Sequence, residues 1–345
     1  MNIYLIGILR IIIFSLGLYI LIPNQFLYGQ EYVLEEAYKR TIMAKNFYVD
    51  DFDGDGEEEF LTAGHGLSGA LLNDFSKYQF LGETTADIRS PFWIENIMPV
   101  DIDSAPGKEI ALMLKDVEGD SCWIEIRGYN SGKMVCRTES IRGENTDNRR
   151  SNDWDGEIWD GKINECHDID LDDDGIKELV VFVSVGFDCN GRGIYVYDCP
   201  SGKLRWKFLL GCNPHIPQFA DANGDGLMEI YFSTTYTGNE CEPQDFIDTV
   251  EHIIALNHDG SLLWKASANS DSRIRGSYMH LCDCDADSVM EIYYLTFIKS
   301  EDADRHIRLL EKRRAYDNKF LAKRSFDADR LINRIGSGDI NNDEI

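Results

Sequence analysis

The stretch Asp221-Ala222-Asn223-Gly224-Asp225-Gly226-Leu227-Met228-Glu229-Ile230 decides the fold. It sets oxygen-bearing side chains at positions 1, 3, 5 and 9 of a short loop (Asp221, Asn223, Asp225, Glu229), with glycine at position 6. A hard cation that takes six or more oxygens at about 2.3–2.6 Å suits this donor set, which describes calcium. Gly226 allows the positive φ with which the chain can fold back around an ion. Apolar runs flank the loop, Ile216-Pro217-Gln218-Phe219-Ala220 before it and Ile230-Tyr231-Phe232 after it.

Working outward, the same loop recurs. Asp51, Asp53, Asp55 and Glu59 form one full copy, with Gly56 at position 6; Asp170, Asp172, Asp174 and Glu178 form another, with Gly175. A further copy keeps Asp283, Asp285, Asp287 and Glu291 but has Ser288 at the glycine position, which puts its geometry in question. The copy at Asp101, Asp103 and Glu109 has Ala105 where an aspartate should stand, so weak or no metal binding is expected there. A sixth begins at Asp339, Asn341 and Asp343 and runs into the end of the chain. First aspartates are 50, 69, 51, 62 and 56 residues apart. An EF-hand requires a glutamate at position 12 and helices on both sides; position 12 is Thr62, Val181 and Phe232 in the three full copies, so that motif is excluded.

After each loop comes a short apolar or β-branched run, such as Leu179-Val180-Val181-Phe182-Val183, too short for a typical helix and too apolar for a surface loop. These read as buried strands. A hairpin follows: Ile194–Asp198, a turn at Pro200-Ser201-Gly202, then Leu204–Phe208; and Ile253–Asn257, a turn at Asp259-Gly260, then Leu262–Lys265. Weaker copies lie at Ala70–Phe80 and Arg127–Cys136, and the poorest at Ala315–Leu321. Each period therefore holds about four antiparallel strands, one entering the loop, one leaving it, and a hairpin. Four strands every 50–70 residues is the period of a β-propeller blade. Insertions at 141–163, with Trp154 and Trp159, at 236–250 and at 299–306 lengthen three connections, and the first is the best candidate for ligand contact.

Bulk composition narrows the function. The formal charge is −27, from 61 acidic and 34 basic residues, which argues against nucleic acid or an anionic membrane surface as partner. Residues 1–29 hold one charge, Arg10, and an apolar run from Ile11 to Ile22; they read as a cleaved export signal, with an uncleaved N-terminal anchor as the alternative. Secretion, the cell surface or the periplasm is therefore expected. The nine cysteines lie between Cys122 and Cys284, a pattern compatible with some disulfides of undetermined pairing and not with structural zinc.

The acidic loop, flanked by strands and repeated once per period, resembles the FG-GAP/VCBS repeat, which builds the calcium-bearing β-propeller of integrin α-chain heads and many exported bacterial proteins. The resemblance covers the chain from about residue 41 and makes 31–345 one propeller, with about five blades and part of a sixth of a commonly seven-bladed ring. It implies calcium held by the side chains at positions 1, 3, 5 and 9 and the carbonyl at position 7.

No nucleophile elbow, phosphate loop, dinucleotide fingerprint or zinc-protease motif occurs. His167 and His280 stand three residues before their loops, either as structural residues at a strand end or as imidazoles on a rim or channel. Two function classes follow: a non-enzymatic, calcium-stabilised propeller that binds an extracellular protein or glycan, or an exported polysaccharide-active, lyase-like enzyme on the same scaffold.

Overall fold

The computed structural model describes residues 11–14, 17–20, 44–64 apart from 57, and 92–143 apart from 104, 117–119 and 130. It further describes 159–238 apart from 187, 189 and 200, 246–269 apart from 247, 278–299 and 306–327. The described residues are all-β, and among them no helix is long and apolar enough to cross a membrane. The segment expected to be an export signal lies largely outside them; β1 (Ile11–Phe14) and β2 (Gly17–Ile20) within it form a small hairpin. The weak hairpin copy at 70–80, Trp154 and the sixth loop also lie outside them.

Unit one contributes β3 (Ala44–Asp50) and β4 (Glu59–Gly64). Unit two holds β5 (Phe92–Val100), β6 (Glu109–Asp116), β7 (Ser121–Gly128), β8 (Met134–Arg137) and the short β9 (Ile141–Arg142). Unit three holds β10 (Lys162–Ile169), β11 (Glu178–Ser184), β12 (Gly193–Asp198) and β13 (Leu204–Leu209). Unit four holds β14 (Asn213–Ala220), β15 (Glu229–Thr235), β16 (Glu251–Leu256) and β17 (Leu262–Asn269). Unit five holds β18 (Tyr278–Cys282), β19 (Glu291–Lys299), β20 (His306–Arg314) and β21 (Phe320–Asp327). Units three, four and five are four-stranded antiparallel sheets in sequence order, and unit two differs only by β9 pairing beside β8 on β7. The expected period of strand, acidic loop, strand and hairpin is the one observed. Even the entering strands repeat an irregularity: register shifts fall between Ala44 and Asn46, Ile94 and Asn96, Ile163 and Glu165, and His215 and Gln218.

The leaving strands are continuously apolar because both faces of each sheet are covered. Successive side chains alternate across a strand. In β11, Leu179, Val181 and Val183 pack toward unit two, while Val180 and Phe182 pack toward unit four. In β15, Ile230 and Phe232 face unit three and Tyr231 faces unit five. In β6, Ala111 and Met113 face unit three, while Ile110, Leu112 and Leu114 join Phe52 of unit one. Each fully buried aliphatic side chain of this kind contributes about 1.5–3 kcal/mol of transfer free energy.

Polar bonds repeat across the seams as well. The amide at loop position 8 donates to the carbonyl at position 2 of the preceding unit, Lys108 to Phe52 at 3.0 Å and Met228 to Leu171 at 2.9 Å. Indole N–H groups of the hairpins reach the next unit's turn, Trp206 to the His258 carbonyl at 3.0 Å and Trp264 to the Ala315 carbonyl at 2.7 Å. Gly260 (φ +82°) lies against Trp206 so closely that a Cβ there would stand 2.6 Å from the ring, so the turn needs glycine for space as well as for φ.

Antiparallel order sorts the connections to two ends. Every entering strand delivers the chain to an acidic loop at one end of its sheet, and the first and second and the third and fourth of these loops touch through the position-8 bonds. The connections β11–β12, β13–β14 and β15–β16, and the insertion before β10, all emerge at the other end.

Candidate metal centre

Four loops bring acidic oxygens within 4.8 Å of one another: Asp51, Asp53 and Asp55; Asp170, Asp172 and Glu178; Asp221, Asp225 and Glu229; Asp283, Asp285 and Glu291. Each is folded around its first aspartate. One oxygen of that carboxylate accepts the position-5 amide at 3.1–3.2 Å (Asp55 to Asp51, Asp174 to Asp170, Asp225 to Asp221, Asp287 to Asp283). The other accepts the position-6 amide at 2.9 Å in all four, from Gly56, Gly175, Gly226 and Ser288. The position-5 carboxylate caps the position-7 amide, Ile176 on Asp174, Leu227 on Asp225 and Val289 on Asp287.

Ser288 was the doubtful member, and its loop keeps the common shape. Ser288 takes φ +64° where Gly226 takes +88° and Gly175 +83°, and Ala286 at position 4 takes +57°. Left-handed backbone at a non-glycine residue costs roughly 1–2 kcal/mol, which this loop carries twice. Its first aspartate is also bracketed by a disulfide between Cys282 and Cys284. Cys122, Cys136, Cys166, Cys199 and Cys212 are buried free thiols. Burial pushes Cys122, Cys199 and Cys212 up to about 12, so they pack as small apolar side chains.

The position-9 glutamates Glu109, Glu178, Glu229 and Glu291 project from the first residue of their leaving strands and are buried. One carboxylate oxygen accepts the position-2 amide: Leu171 on Glu178 at 2.9 Å, Ala222 on Glu229 at 2.8 Å, Cys284 on Glu291 at 3.3 Å and Ile102 on Glu109 at 3.2 Å. Burial raises the Glu178 carboxyl to about 7, opposed by the Leu171 amide and Arg205 and helped by Asp172 and Asp174. Burial raises Glu229 as well, against its amide bond from Ala222 and with Asp225 and Asp221 beside it. Carboxylates gathered this tightly call for a proton or a cation. Asp172 also keeps a buried Oδ1 with no hydrogen-bond partner. An all-oxygen donor set of three or four carboxylates with an orphaned buried oxygen fits a hard divalent ion.

The remaining sequence candidates divide. Lys177 of unit three reaches Asp101 at 3.2 Å and Asp168 at 3.1 Å, so the incomplete second loop carries an ammonium beside its first aspartate. His167 packs its ring against Phe182 and Phe219, and its Nε2 lies 3.5 Å from Glu165. His280 meets Gln218 of unit four at 3.3 Å. Both imidazoles belong to the seams between units.

Trp159 corrects an expectation. It is 0 % exposed, its amide donates to Asp120 at 3.1 Å and its indole to the Asn190 carbonyl at 3.0 Å, with Gly143, Gly161 and Gly191 close against the ring. It anchors the insertion instead of offering a ring to a ligand. Sequence reasoning also passed over Arg192, fully buried at the end opposite the acidic loops. Its guanidinium donates to the carbonyls of Val185, Gly186 and Gly211 and to Thr237 Oγ1, with Asp248 at 3.8 Å. It thereby ties three connections together. Arg205 and Lys312, which enter the acidic loops from the hairpin strands β13 and β20, were passed over too. The only sequence trace of Arg205 is a basic residue one place before the hairpin tryptophan.

The fold and loops together define an all-β protein of repeated antiparallel units with an acidic, metal-competent loop in each of several units. No known protein family matches the chain, and no curated protein sequence matches it. Among solved structures it is similar to the exotype rhamnogalacturonan lyase YesX, with 18 % identity over 87 % of this chain and 52 % of that one and a TM-score of 0.44. It is also similar to the quinohemoprotein alcohol dehydrogenase from Comamonas testosteroni (10 % identity, 68 % and 45 % covered, TM-score 0.40). Rhamnogalacturonan lyase YesW follows at 13 % identity, 85 % and 53 % covered, TM-score 0.35. The chain spans about half the length of each of these structures.

Proposed function

We propose that the chain is an exported β-propeller of the FG-GAP/VCBS kind, stabilised by calcium at one end of its blades and engaging an extracellular polysaccharide at the other. Calcium is assigned to Asp51, Asp53, Asp55 and Glu59; Asp170, Asp172, Asp174 and Glu178; Asp221, Asn223, Asp225 and Glu229; and Asp283, Asp285, Asp287 and Glu291. Bound there, the ion replaces carboxylate repulsion with coordination and pins the turn between entering and leaving strands. Export rests on the apolar segment before residue 30, and the seven-bladed ring on the resemblance to the FG-GAP/VCBS repeat.

The observation that carries this reading is the segregation of the two ends. The acidic loops share one geometry and one set of internal bonds, as scaffold elements do. The insertions collect at the opposite end, where the described groups include Asn190 and Tyr236, an amide and a phenol of the kind that pair with sugar hydroxyls. Loops projecting from a rigid scaffold are where binding concentrates. A second reading adds cleavage of the polymer; it rests on the imidazole of His167 beside the Glu165 carboxylate on an entering strand.

One experiment tests both. The calcium-loaded chain is run through gels containing neutral and acidic polysaccharides, with rhamnogalacturonan, the polymer in the names of two of the solved structures, among them. Release of unsaturated sugars is followed in parallel. Retardation without release is expected. Release of unsaturated products moves the assignment to the second reading, and absence of retardation by every polymer overturns the polysaccharide. Melting unchanged by chelation overturns the calcium.

A further inference from the structure

The three best-described acidic loops each have a donor on the second oxygen of the position-9 glutamate, and each supplies it by different chemistry. In unit three it is the Arg205 guanidinium, 2.5 Å from Glu178 Oε1 and 2.6 Å from Asp172 Oδ2. In unit five it is the Lys312 ammonium, 2.9 Å from Glu291 Oε1 and 2.7 Å from Asp285 Oδ2. In unit four it is the neutral amide of Asn223 itself, 2.9 Å from Glu229 Oε1 and 3.0 Å from Asp225 Oδ2. Among the described residues no lysine or arginine pairs with the fourth loop.

The two cations come from different strands, so this is one task solved twice. Arg205 precedes the hairpin tryptophan Trp206 on β13; the same place before Trp264 on β17 is Leu263. Lys312 lies on β20 opposite Tyr293, while the matching residue opposite Tyr231 is Ala255. Charge follows the same division. The third and fifth loops each set four carboxylates against one cation, a formal −3; the fourth, with asparagine at position 3, has three carboxylates and no cation, also −3.

We propose that Arg205 and Lys312 are resident cations of the third and fifth loops, standing on the position-3 and position-9 oxygens that a metal ion would take. Calcium must displace them, and the fourth loop, where Asn223 fills the same place without charge, is the one of the three that takes calcium first. This rests on the calcium reading above. A guanidinium 2.5–2.6 Å from two carboxylates competes directly with a divalent ion for the same field. Glu178 and Glu291 are buried while Asp172 and Asp285 are partly exposed, and a full charge at contact distance from such a pair shifts an equilibrium by on the order of tenfold.

The test uses the whole chain freed of metal by chelation, with calcium chloride titrated calorimetrically and melting recorded without metal. Asp221→Asn, made in a chain whose first loop is silenced by Asp51→Asn, is expected to abolish the tightest of the remaining binding events. Arg205→Gln is expected to tighten the third loop's calcium binding by roughly tenfold or more, by removing its competitor, and to lower the metal-free melting temperature. Arg205→Lys keeps the charge and should leave both near native. Adding Asp172→Asn to Arg205→Gln rebuilds the fourth loop's arrangement in the third and should restore the metal-free melt. Lys312→Gln repeats the test in an independent unit if Arg205→Gln fails to fold. Unchanged or weaker calcium binding in Arg205→Gln and Lys312→Gln, in a chain whose native form does bind calcium, overturns the inference and leaves the calcium reading standing. No calcium binding by the native chain or any variant overturns the calcium reading itself.

Discussion

The two ends of the sheets are held by opposite strategies. At the acidic end, neighbouring units repeat one short loop with the same internal bonds, and excess negative charge is left for small cations to balance. At the other end the connections differ in length, and one buried arginine, Arg192, gathers three of them with Asp248 beside it. A repeated loop tolerates the loss of one copy because each of the others is folded around its own first aspartate. A single buried charge that serves three loops does not. Physical redundancy therefore lies at the acidic end, and variability in the connections is affordable only because Arg192 and Trp159 fix them from beneath.

The largest expected effect breaks the unrepeated end. Arg192→Leu removes the buried charge opposite Asp248 and the donor to three buried carbonyl groups, and about 3–5 kcal/mol of unfolding free energy should be lost. Urea unfolding followed by tryptophan fluorescence measures it; a loss under about 1 kcal/mol would show that the three connections are held by something else. Removing calcium is the matching test of the repeated end. A ligand held at about 100 times its dissociation constant contributes roughly 2.7 kcal/mol per site, which chelation should abolish in the native chain and partly abolish already in Asp221→Asn. If chelation also perturbed the environment of Trp159, the two ends would not be independent.

Acidity sharpens the comparison further. Glu178 has its folded pKa raised to about 7 and Glu229 is raised as well, each first by burial. The native state then holds protons more tightly than the unfolded chain. This contribution is fully present below the unfolded value near 4.5 and lost as pH rises through about 7. Without metal, Glu178→Gln should therefore flatten the fall in melting temperature across that window, by on the order of 2 kcal/mol at neutral pH. Saturating calcium should flatten it in the native chain as well. A native profile that rises through the window without metal would show Glu178 to be already fully charged by Arg205. The smallest effect belongs to the fifth loop. Ser288→Gly relieves one left-handed residue at some cost in chain entropy and should raise stability by about 0.5 kcal/mol, read as a small upward shift in melting.

What the sequence by itself determined was everything built from neighbours along the chain. Loop ligands at positions 1 to 9, the buried strands after them and the glycine turns of the hairpins are contiguous patterns, and an unbroken apolar run tells which strands are covered on both faces. Ser288 shows the limit even there, because serine can take the glycine conformation when the amide of the same residue is needed by Asp283. What only the tertiary structure decided was which distant groups meet. Arg205 lies 33 residues from Asp172 and Lys312 lies 27 from Asp285. Arg192 finds Thr237 45 residues away. Trp159, read from its chemistry as a contact residue, is buried because three glycines leave a slot for its ring. Such meetings depend on strand register and on the stacking of one sheet against the next, and neither is written in the spacing of nearby residues.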